Sequence, residues 1–484
     1  MTMNRRNFLK VAGAGAGMGL AGGAGAFHDR MSLGYSSIQP APGEIENLRL
    51  LSHCDFTFNG VSGKVGGWDR TYEFQYRGGF LYCSHQIGWS IVDARDPRNM
   101  KCIWRYANDP GPDNTQYLDI ARGDRDHIVV QKQNGALKMW DATNPFSPVL
   151  LSSFTPPGIL VTNPGGGLQG SFGFHGLWVH LSSAGRFACA SVRLQGYTDQ
   201  ILMVIDITDP SNPYELSRWW YPGMWTAGGE VPTWPSDAGI PGRVGTPVQM
   251  HDLTTWGDRA YVAWRQKGIL ILDFSNMAKP VKIGEINWGD VSRPQFNPLA
   301  AATHSIALVI PKEGGPIQTV IAGDEVGLCP GGYGHVVDVR NERRPQEISA
   351  LELPFNRGGN CPYDRNVSRQ AIHDLERHTR GDIQWAVWEE GGLYGWDISD
   401  IHRPKVNAYF LRPARSDAGR AGSSHADDVN VDWARGIIFA QGSDSGAGGM
   451  TAFKYEPGLR GKVVWDAEER NLIFKRTPGP VYTY

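Results

Sequence analysis

Five histidines recur at one place in a tandem repeat, each opening a new β-rich stretch. They are His175, His251, His304, His373 and His425. If the repeats are the blades of a propeller, these imidazoles converge on one axis. A site of three or four neutral imidazoles, without thiolates and with an open position, suits Fe, Cu, Mn or Zn. We therefore predict a transition-metal ion as cofactor, with its identity left open.

Five imidazoles cannot all bind one ion and leave room for a substrate. We favour the last four as ligands and expect His175 to be the exception, because Gly176 follows it. The alternative is that repeat duplication has kept one structural or substrate-binding histidine. The first two repeats carry Tyr72 and Tyr117 at this position, so the fold itself does not require histidine there.

Four aspartates closely follow the candidate ligands and are predicted to support them. A carboxylate commonly orients a metal-binding imidazole by accepting its second N–H. The alternative role is capping of turns at strand ends. The four are Asp252, Asp374, Asp427 and Asp428.

The repeat itself consists of a short apolar run that ends in aspartate and is followed by a proline turn. Successive copies are 48 to 67 residues apart, which is typical of propeller blades with insertions. We predict an all-β fold: a seven-bladed β-propeller in which an N-terminal strand over 47–52 completes the last blade and closes the ring. The aspartates are Asp93, Asp141, Asp206, Asp273, Asp338 and Asp397.

Two family resemblances follow from these residues. The repeat resembles the LVIVD-repeat β-propellers over about residues 70–455, a resemblance that implies the fold and is nearly silent about activity. Met250-His251-Asp252-Leu253 is similar to a histidine motif of the carotenoid cleavage oxygenases. That similarity implies iron held on the axis by histidines, and covers four residues.

The N-terminus carries export signals. Arg5-Arg6-Asn7-Phe8-Leu9-Lys10 is a twin-arginine motif, and a short Gly/Ala run follows it. We expect a signal peptide at 1–26, a linker at 27–46, and the propeller at 47–484. The predicted location is periplasmic or secreted, the predicted partner is the twin-arginine export machinery, and no stable membrane span is expected. A formal net charge of −2 argues against binding nucleic acid.

The loops on the histidine side carry polar and aromatic residues suited to a small-molecule substrate. Arginines there can clamp a carboxylate, tryptophans can cover an organic molecule, and a glutamate can act as general base. Each of these types is also common on ordinary protein surfaces. The predicted substrate-binding residues are Arg193, Arg265, Trp225 and Trp234, and the predicted bases are Glu389 and Glu390.

These features predict an exported metalloenzyme, a metal-dependent oxidoreductase or oxygenase acting on a small organic substrate, with aromatic molecules among the candidates. Two alternatives stay open: a metal-dependent lyase or hydrolase, and a non-catalytic propeller that binds a ligand or a protein. The metal content of the purified protein separates the first two classes from the third.

Overall fold

The structure is a computed structural model. It describes residues 38, 40–59, 71–85, 87–107, 115–121, 126–161, 173–234, 248–287, 302–325, 332–357, 371–389, 391–413, 426–442, 449–466 and 471–476. Within these ranges it contains strands and two 3₁₀ helices, Thr226–Gly228 and Pro354–Arg357, but no α-helix. None of the helical segments there has the length and hydropathy needed to cross a membrane. The predicted signal peptide, Glu390 and His425 lie outside the described residues.

The strands alternate with short turns along the chain and form antiparallel sheets. In chain order, β1 is Glu44–Cys54. The first blade is β2 Thr71–Arg77, β3 Phe80–His85, β4 Gly88–Asp93 and β5 Lys101–Tyr106. The second is β6 Leu118–Ile120, β7 Ile128–Lys132, β8 Leu137–Asp141 and β9 Val149–Phe154. The third is β10 Phe174–Ser182, β11 Gly185–Val192, β12 Ile201–Asp206 and β13 Tyr214–Trp219.

The fourth blade is β14 Asp252–Trp256, β15 Arg259–Ala263, β16 Ile269–Asp273 and β17 Val281–Ile286. The fifth is β18 Thr303–Val309, β19 Thr319–Asp324, β20 Gly334–Asp338 and β21 Gln346–Leu351. The remaining strands are β22 Ile372–Leu375, β23 His378–Thr379, β24 Ile383–Trp388, β25 Gly392–Asp397, β26 Lys405–Phe410, β27 Ala426–Asp432, β28 Ile437–Gly442, β29 Gly449–Asp466 and β30 Asn471–Arg476. Of these, β23 joins the fifth blade by pairing parallel to β18.

The prediction of seven blades is wrong: the propeller has five separate blades. The strands expected to form a sixth and a seventh blade lie in one nine-stranded sheet, in the order β22-β24-β25-β26-β1-β29-β28-β27, with β30 on β29. The physical reason is that β1 is paired along both edges. Ile45 is opposite Phe410 of β26 and also opposite Gly461 of β29. The N-terminal strand therefore joins two groups of strands instead of completing one blade.

The ring closes where this large sheet meets the first blade. Phe74 N–H donates to Asp428 Oδ2 at 3.0 Å, and the Asn430 side chain donates to the Phe74 carbonyl at 3.0 Å. The inner strands β2, β6, β10, β14, β18, β22 and β27 contact one another in a closed circle. Residues at the starts of these strands can therefore meet near one axis.

The repeated aspartates end strands as predicted. All six are the last residues of β4, β8, β12, β16, β20 and β25. In each, the carboxylate accepts the backbone N–H two residues further on at 2.8–3.1 Å, as Asp93 does from Arg95. This side-chain turn competes with continued pairing and ends the strand.

Candidate metal centre

The predicted histidines lie at irregular starts of inner strands. The pairing register slips by one residue at the beginning of five of these strands, which places Tyr72, His175, His304, His373 and Asp427 in β-bulges. A β-bulge redirects a side chain, and such bulges are frequent beside functional sites.

Two further residues, Tyr117 and His251, directly precede the inner strands β6 and β14. We call all seven residues the axial positions: Tyr72, Tyr117, His175, His251, His304, His373 and Asp427.

Four of the imidazoles form a continuous row. The ring centroids are 4.4 Å apart for His175 and His251, 3.9 Å for His251 and His304, and 4.2 Å for His304 and His373. Tyr117 extends the row, with its ring centroid 5.3 Å from that of His175. All four histidines are buried. The structure thus brings together four of the five predicted ligands.

Backbone carbonyls fix the tautomer of three imidazoles. His251 Nδ1 lies 3.1 Å from the carbonyl oxygen of His304, and His304 Nδ1 lies 2.9 Å from that of His373. His373 Nδ1 lies 2.8 Å from the carbonyl oxygen of Asp427. A carbonyl only accepts, so each Nδ1 carries the hydrogen and donates it. Each Nε2 of a neutral ring is then left with a lone pair, which is the arrangement that a metal ligand needs.

The environment favours neutral imidazoles at two of these positions. Burial, together with the positive charge of Arg265, holds the pKa of His251 well below its usual range. Burial and the neighbouring His373 do the same to the pKa of His304. His251 Nε2 is also buried without a hydrogen-bond partner among the described residues. An unsatisfied buried acceptor of this kind is costly unless something binds it.

His373 differs because a carboxylate supports it. Asp374 Oδ2 lies 3.0 Å from His373 Nδ1, beside the Asp427 carbonyl. Burial works against a charged imidazolium here, but the hydrogen bond and charge of Asp374 outweigh it and raise the pKa of His373 well above its usual range. Asp374 therefore makes the contact expected of a residue that orients a ligand.

Two glutamates complete the candidate ligand sets. Ligand atoms of His251, His304 and Glu325 all lie within 4.8 Å of one another, and so do those of Glu325, His373 and Glu389. His304 Nε2 is 3.7 Å from Glu325 Oε2. Ligand atoms on opposite sides of an ion lie about 4.2 Å apart at metal–nitrogen distances near 2.1 Å. Both sets fit an ion, and Glu325 is common to them.

A third set that fits by distance is His304, His373 and Asp374. Asp374, however, lies on the Nδ1 side of His373, where the ring already donates to the Asp427 carbonyl. We therefore assign Asp374 to orientation and not to ligation.

The other predicted supporting aspartates have different partners. Asp252 accepts a hydrogen bond from Arg377, and Asp428 accepts the backbone N–H groups of Phe74 and Val429. Asp427 receives the His373 hydrogen through its backbone carbonyl and not through its carboxylate. Asp252 is thus paired with an arginine, and Asp428 binds strand backbone.

The predicted substrate-binding residues divide into two groups. Arg265 Nη1 contacts Glu325 at 2.7 Å, next to the imidazoles, and Arg193 Nη1 is 3.8 Å from Asp199. Trp225 is 40% exposed, and the Trp234 ring lies 6.2 Å from that of Tyr221. Within the described ranges, the Trp225 ring contacts Trp220, and the Trp234 ring contacts Tyr221 and Lys267. Of these four residues, Arg265 is the one that is paired with a candidate ligand.

Sequence reasoning missed Glu325 as a ligand and Arg377 altogether. Glu325 directly follows the second strand of its blade, as Glu389 follows β24, and Arg265 comes two residues after the end of β15. Aligning this position between repeats would have identified it. Arg377 stands outside the repeat pattern, and no comparable signal marks it.

Comparisons with known proteins support the fold. The LVIVD repeat model matches residues 196–219 and 250–287, so the chain contains LVIVD repeats. No curated protein matches the chain significantly.

Solved structures that show some similarity to this chain include U3-55K, at 9% identity and a TM-score of 0.49, covering 86% of this chain and 99% of that one. They also include a catalytically inactive virginiamycin B lyase from Staphylococcus aureus with quinupristin, at 10% identity and a TM-score of 0.46, covering 84% and 98%. These likenesses are too distant to carry an argument about fold or function.

Proposed function

We propose that this chain is an exported metalloenzyme, an oxidoreductase or oxygenase that acts on a small organic substrate. The ion would be held between the imidazole row and Glu325, which belongs both to the set with His251 and His304 and to the set with His373 and Glu389. One observation carries the proposal: three adjacent buried imidazoles each have Nδ1 committed to a backbone carbonyl, which leaves Nε2 as the ligand atom. Burial of His251 Nε2 without a hydrogen-bond partner among the described residues favours a bound ion over a purely structural row.

The donor set favours a borderline transition metal. Imidazole suits Fe, Cu and Zn, and added carboxylates favour Fe or Mn over thiolate-preferring ions. A bound redox-active ion would supply one-electron chemistry or activation of oxygen at this site. In this proposal Glu389, whose carboxylate lies within 4.8 Å of ligand atoms of Glu325 and His373, would accept a proton from a substrate or water.

Export is part of the proposal and rests on the twin-arginine motif at residues 5–10. The twin-arginine route carries folded proteins, so an ion can be inserted before transport. Replacing Arg5 and Arg6 by lysine in the full chain should hold the protein in the cytoplasm. Unchanged recovery from the periplasm would contradict this part of the proposal without touching the metal site.

The test of the metal site is elemental analysis of the full-length protein after expression and export. We expect close to one transition-metal ion per chain in the parent, and a loss of at least tenfold in His304→Ala and His373→Ala. The control is His180→Asn, which changes a buried histidine whose Nδ1 contacts Thr255 and not the metal site. Circular dichroism establishes that each variant is folded.

The outcomes separate the proposals. A metal with a visible or paramagnetic signal that changes in the ligand variants supports oxidative chemistry. Stoichiometric Zn or Ca without such a signal would overturn it in favour of a lyase or hydrolase. Parent protein without stoichiometric metal, or ligand variants that keep it, would overturn the site itself.

A further inference from the structure

A buried ionic network lies one residue away from the candidate ligand Glu325. Asp324 is the last residue of β19 and directly precedes Glu325. Its Oδ2 lies 3.1 Å from Nε2 of His335 in β20, and Nδ1 of the same imidazole lies 2.9 Å from Oε1 of Glu347 in β21. These three side chains are at most 5% exposed. The network therefore links the three outer strands of the fifth blade to the place where Glu325 begins.

His335 is a fixed cation in this network. Both of its ring nitrogens face carboxylates, which accept hydrogen bonds when ionised, so both nitrogens carry hydrogen. Burial opposes a charge on the ring, but the charges of Glu347 and Asp324 outweigh it and raise the pKa of His335 to about 9. The Tyr333 ring covers the imidazole at a centroid distance of 4.4 Å. Hydrogen bonds between charged partners are stronger than neutral ones, so Asp324 is held firmly on this side.

The other carboxylate oxygen of Asp324 reaches the strand that carries His304. Asp324 Oδ1 accepts a hydrogen bond from Thr303 Oγ1 at 3.1 Å. Thr303 is opposite Asp324 in the sheet, and Ser305 is opposite Gly323, so His304 is the extra residue of a β-bulge. A bulge redirects the side chain of such a residue. The bond between the Thr303 and Asp324 side chains closes one end of this bulge.

Backbone contacts tie Glu325 to the same place. Glu325 N–H donates to the Ala302 carbonyl at 2.9 Å, and Thr303 N–H donates to the Arg265 carbonyl at 3.2 Å. The Arg265 guanidinium returns to Glu325, with Nη1 2.7 Å from Oε2. The same Oε2 lies 3.7 Å from His304 Nε2. The two candidate ligands are therefore held by one closed set of contacts.

We propose that Asp324 is a positioning residue for the metal centre. It holds Thr303 in place, and this contact would fix the spacing between the ligand atoms of His304 and Glu325. The inference rests on the proposed function, because it takes these two residues to be ligands. Among the described residues, Asp324 itself belongs to none of the candidate ligand sets. Removing a group that orients a metal ligand typically lowers metal affinity by about 10–100-fold.

The experiment is titration of the chelator-treated full-length protein with Co²⁺, followed by its visible absorption, which depends on coordination geometry. Thr303→Val removes the hydroxyl and keeps the shape of the side chain, whereas Thr303→Ser keeps the hydroxyl. We expect Thr303→Val to weaken Co²⁺ binding by about tenfold or more and to change the absorption spectrum. Thr303→Ser should stay close to the parent in both respects.

The matched control is Thr254→Val. Thr254 is buried like Thr303, and its Oγ1 donates to the Ile306 carbonyl at 2.8 Å. Both valine variants lose one buried hydroxyl hydrogen bond, but only Thr303 contacts Asp324, so Thr254→Val should bind Co²⁺ like the parent. His335→Gln is a second test, because it removes the positive charge beside Asp324 and should also weaken Co²⁺ binding. If His335→Gln does not fold, the three threonine variants still decide.

Unchanged Co²⁺ affinity and absorption in folded Thr303→Val would overturn the inference. Equal weakening in Thr254→Val, or binding by Thr303→Ser as weak as that of Thr303→Val, would overturn it as well. The parent is measured on the same day and in the same buffer. With a parent that binds metal, these results overturn this inference alone, whereas a parent that binds no metal overturns the proposed function.

Discussion

Arg377 is the central counter-charge of the inner strands, and replacing it with methionine is expected to destabilise the fold strongly. The side chain is 4% exposed. It forms a hydrogen bond with Asp252, and its Nη2 lies 3.2 Å from Glu73 Oε2 and 3.4 Å from Asp374 Oδ1. Three carboxylates from three different strands therefore share one guanidinium.

The magnitude follows from what remains after the substitution. Removing one partner of a buried ion pair costs about 3–5 kcal/mol, because the other charge stays buried and uncompensated. Arg377→Met leaves several such charges, so we expect a loss of about 3–5 kcal/mol or more at pH 8. The remaining carboxylates can escape this penalty only by binding protons.

The pH dependence of this loss has a definite sign. Burial already raises the pKa of Asp252 to about 6 and that of Glu73 well above its usual range, while Arg377 opposes both shifts. Without the arginine, these folded-state pKa values rise further above the unfolded ones. The native state then binds more protons than the unfolded state, so the variant regains stability as the pH falls from 8 towards 5.

The assay is urea unfolding followed by tryptophan fluorescence at pH 8, 6.5 and 5. Asp252→Asn in the Arg377→Met background should recover part of the loss at pH 8. The control is Arg259→Met, which breaks a partly exposed pair with Glu342 and should cost about 1 kcal/mol or less. A loss below 1 kcal/mol in Arg377→Met, or one that does not change with pH, would refute the reasoning.

Two further predictions use other parts of the fold. His335 is buried between Asp324 and Glu347, whose charges overcome burial and raise its pKa to about 9. The stabilisation from its positive charge should be fully present below about pH 6.5 and lost as the pH rises through 9. Urea unfolding of His335→Gln should therefore show a large loss of unfolding free energy at pH 6.5 and a smaller loss at pH 9.5. An equal loss at both pH values would contradict this prediction. A Cβ on Gly176 would lie 1.8 Å from the His251 carbonyl oxygen. Gly176→Ala should therefore lower the free energy of unfolding by about 1–3 kcal/mol. An unchanged unfolding midpoint would contradict this and would show that the backbone shifts to make room for the methyl group.

The repeat pattern predicted local structure better than it predicted the number of blades. The aspartate that ends each strand acts within two residues, so its effect is readable from the sequence alone. Blade number depends instead on which distant strands share an edge. Ile45 pairs with Phe410 and with Gly461, more than 350 residues away in sequence. No local pattern shows that one strand will use both of its edges.

The candidate site also combines features that the sequence predicted with features that depend on strand pairing. Histidine recurrence predicted the row of imidazoles, because each ring is placed by its own strand start. The last member of the row depends on register: the hydrogen-bond series from His251 to His304 to His373 ends on the Asp427 carbonyl, in the bulge that opens β27. The sequence prediction for this repeat is His425, which lies outside the described residues and stays a prediction. A bulge adds a residue to one strand. Corresponding positions in different repeats are therefore identified by their hydrogen bonds and not by their residue type. Among the described residues, Glu325 is the carboxylate shared by two candidate ligand sets, whereas His175 belongs to neither. Glu325→Gln should therefore lower metal content more than His175→Gln does.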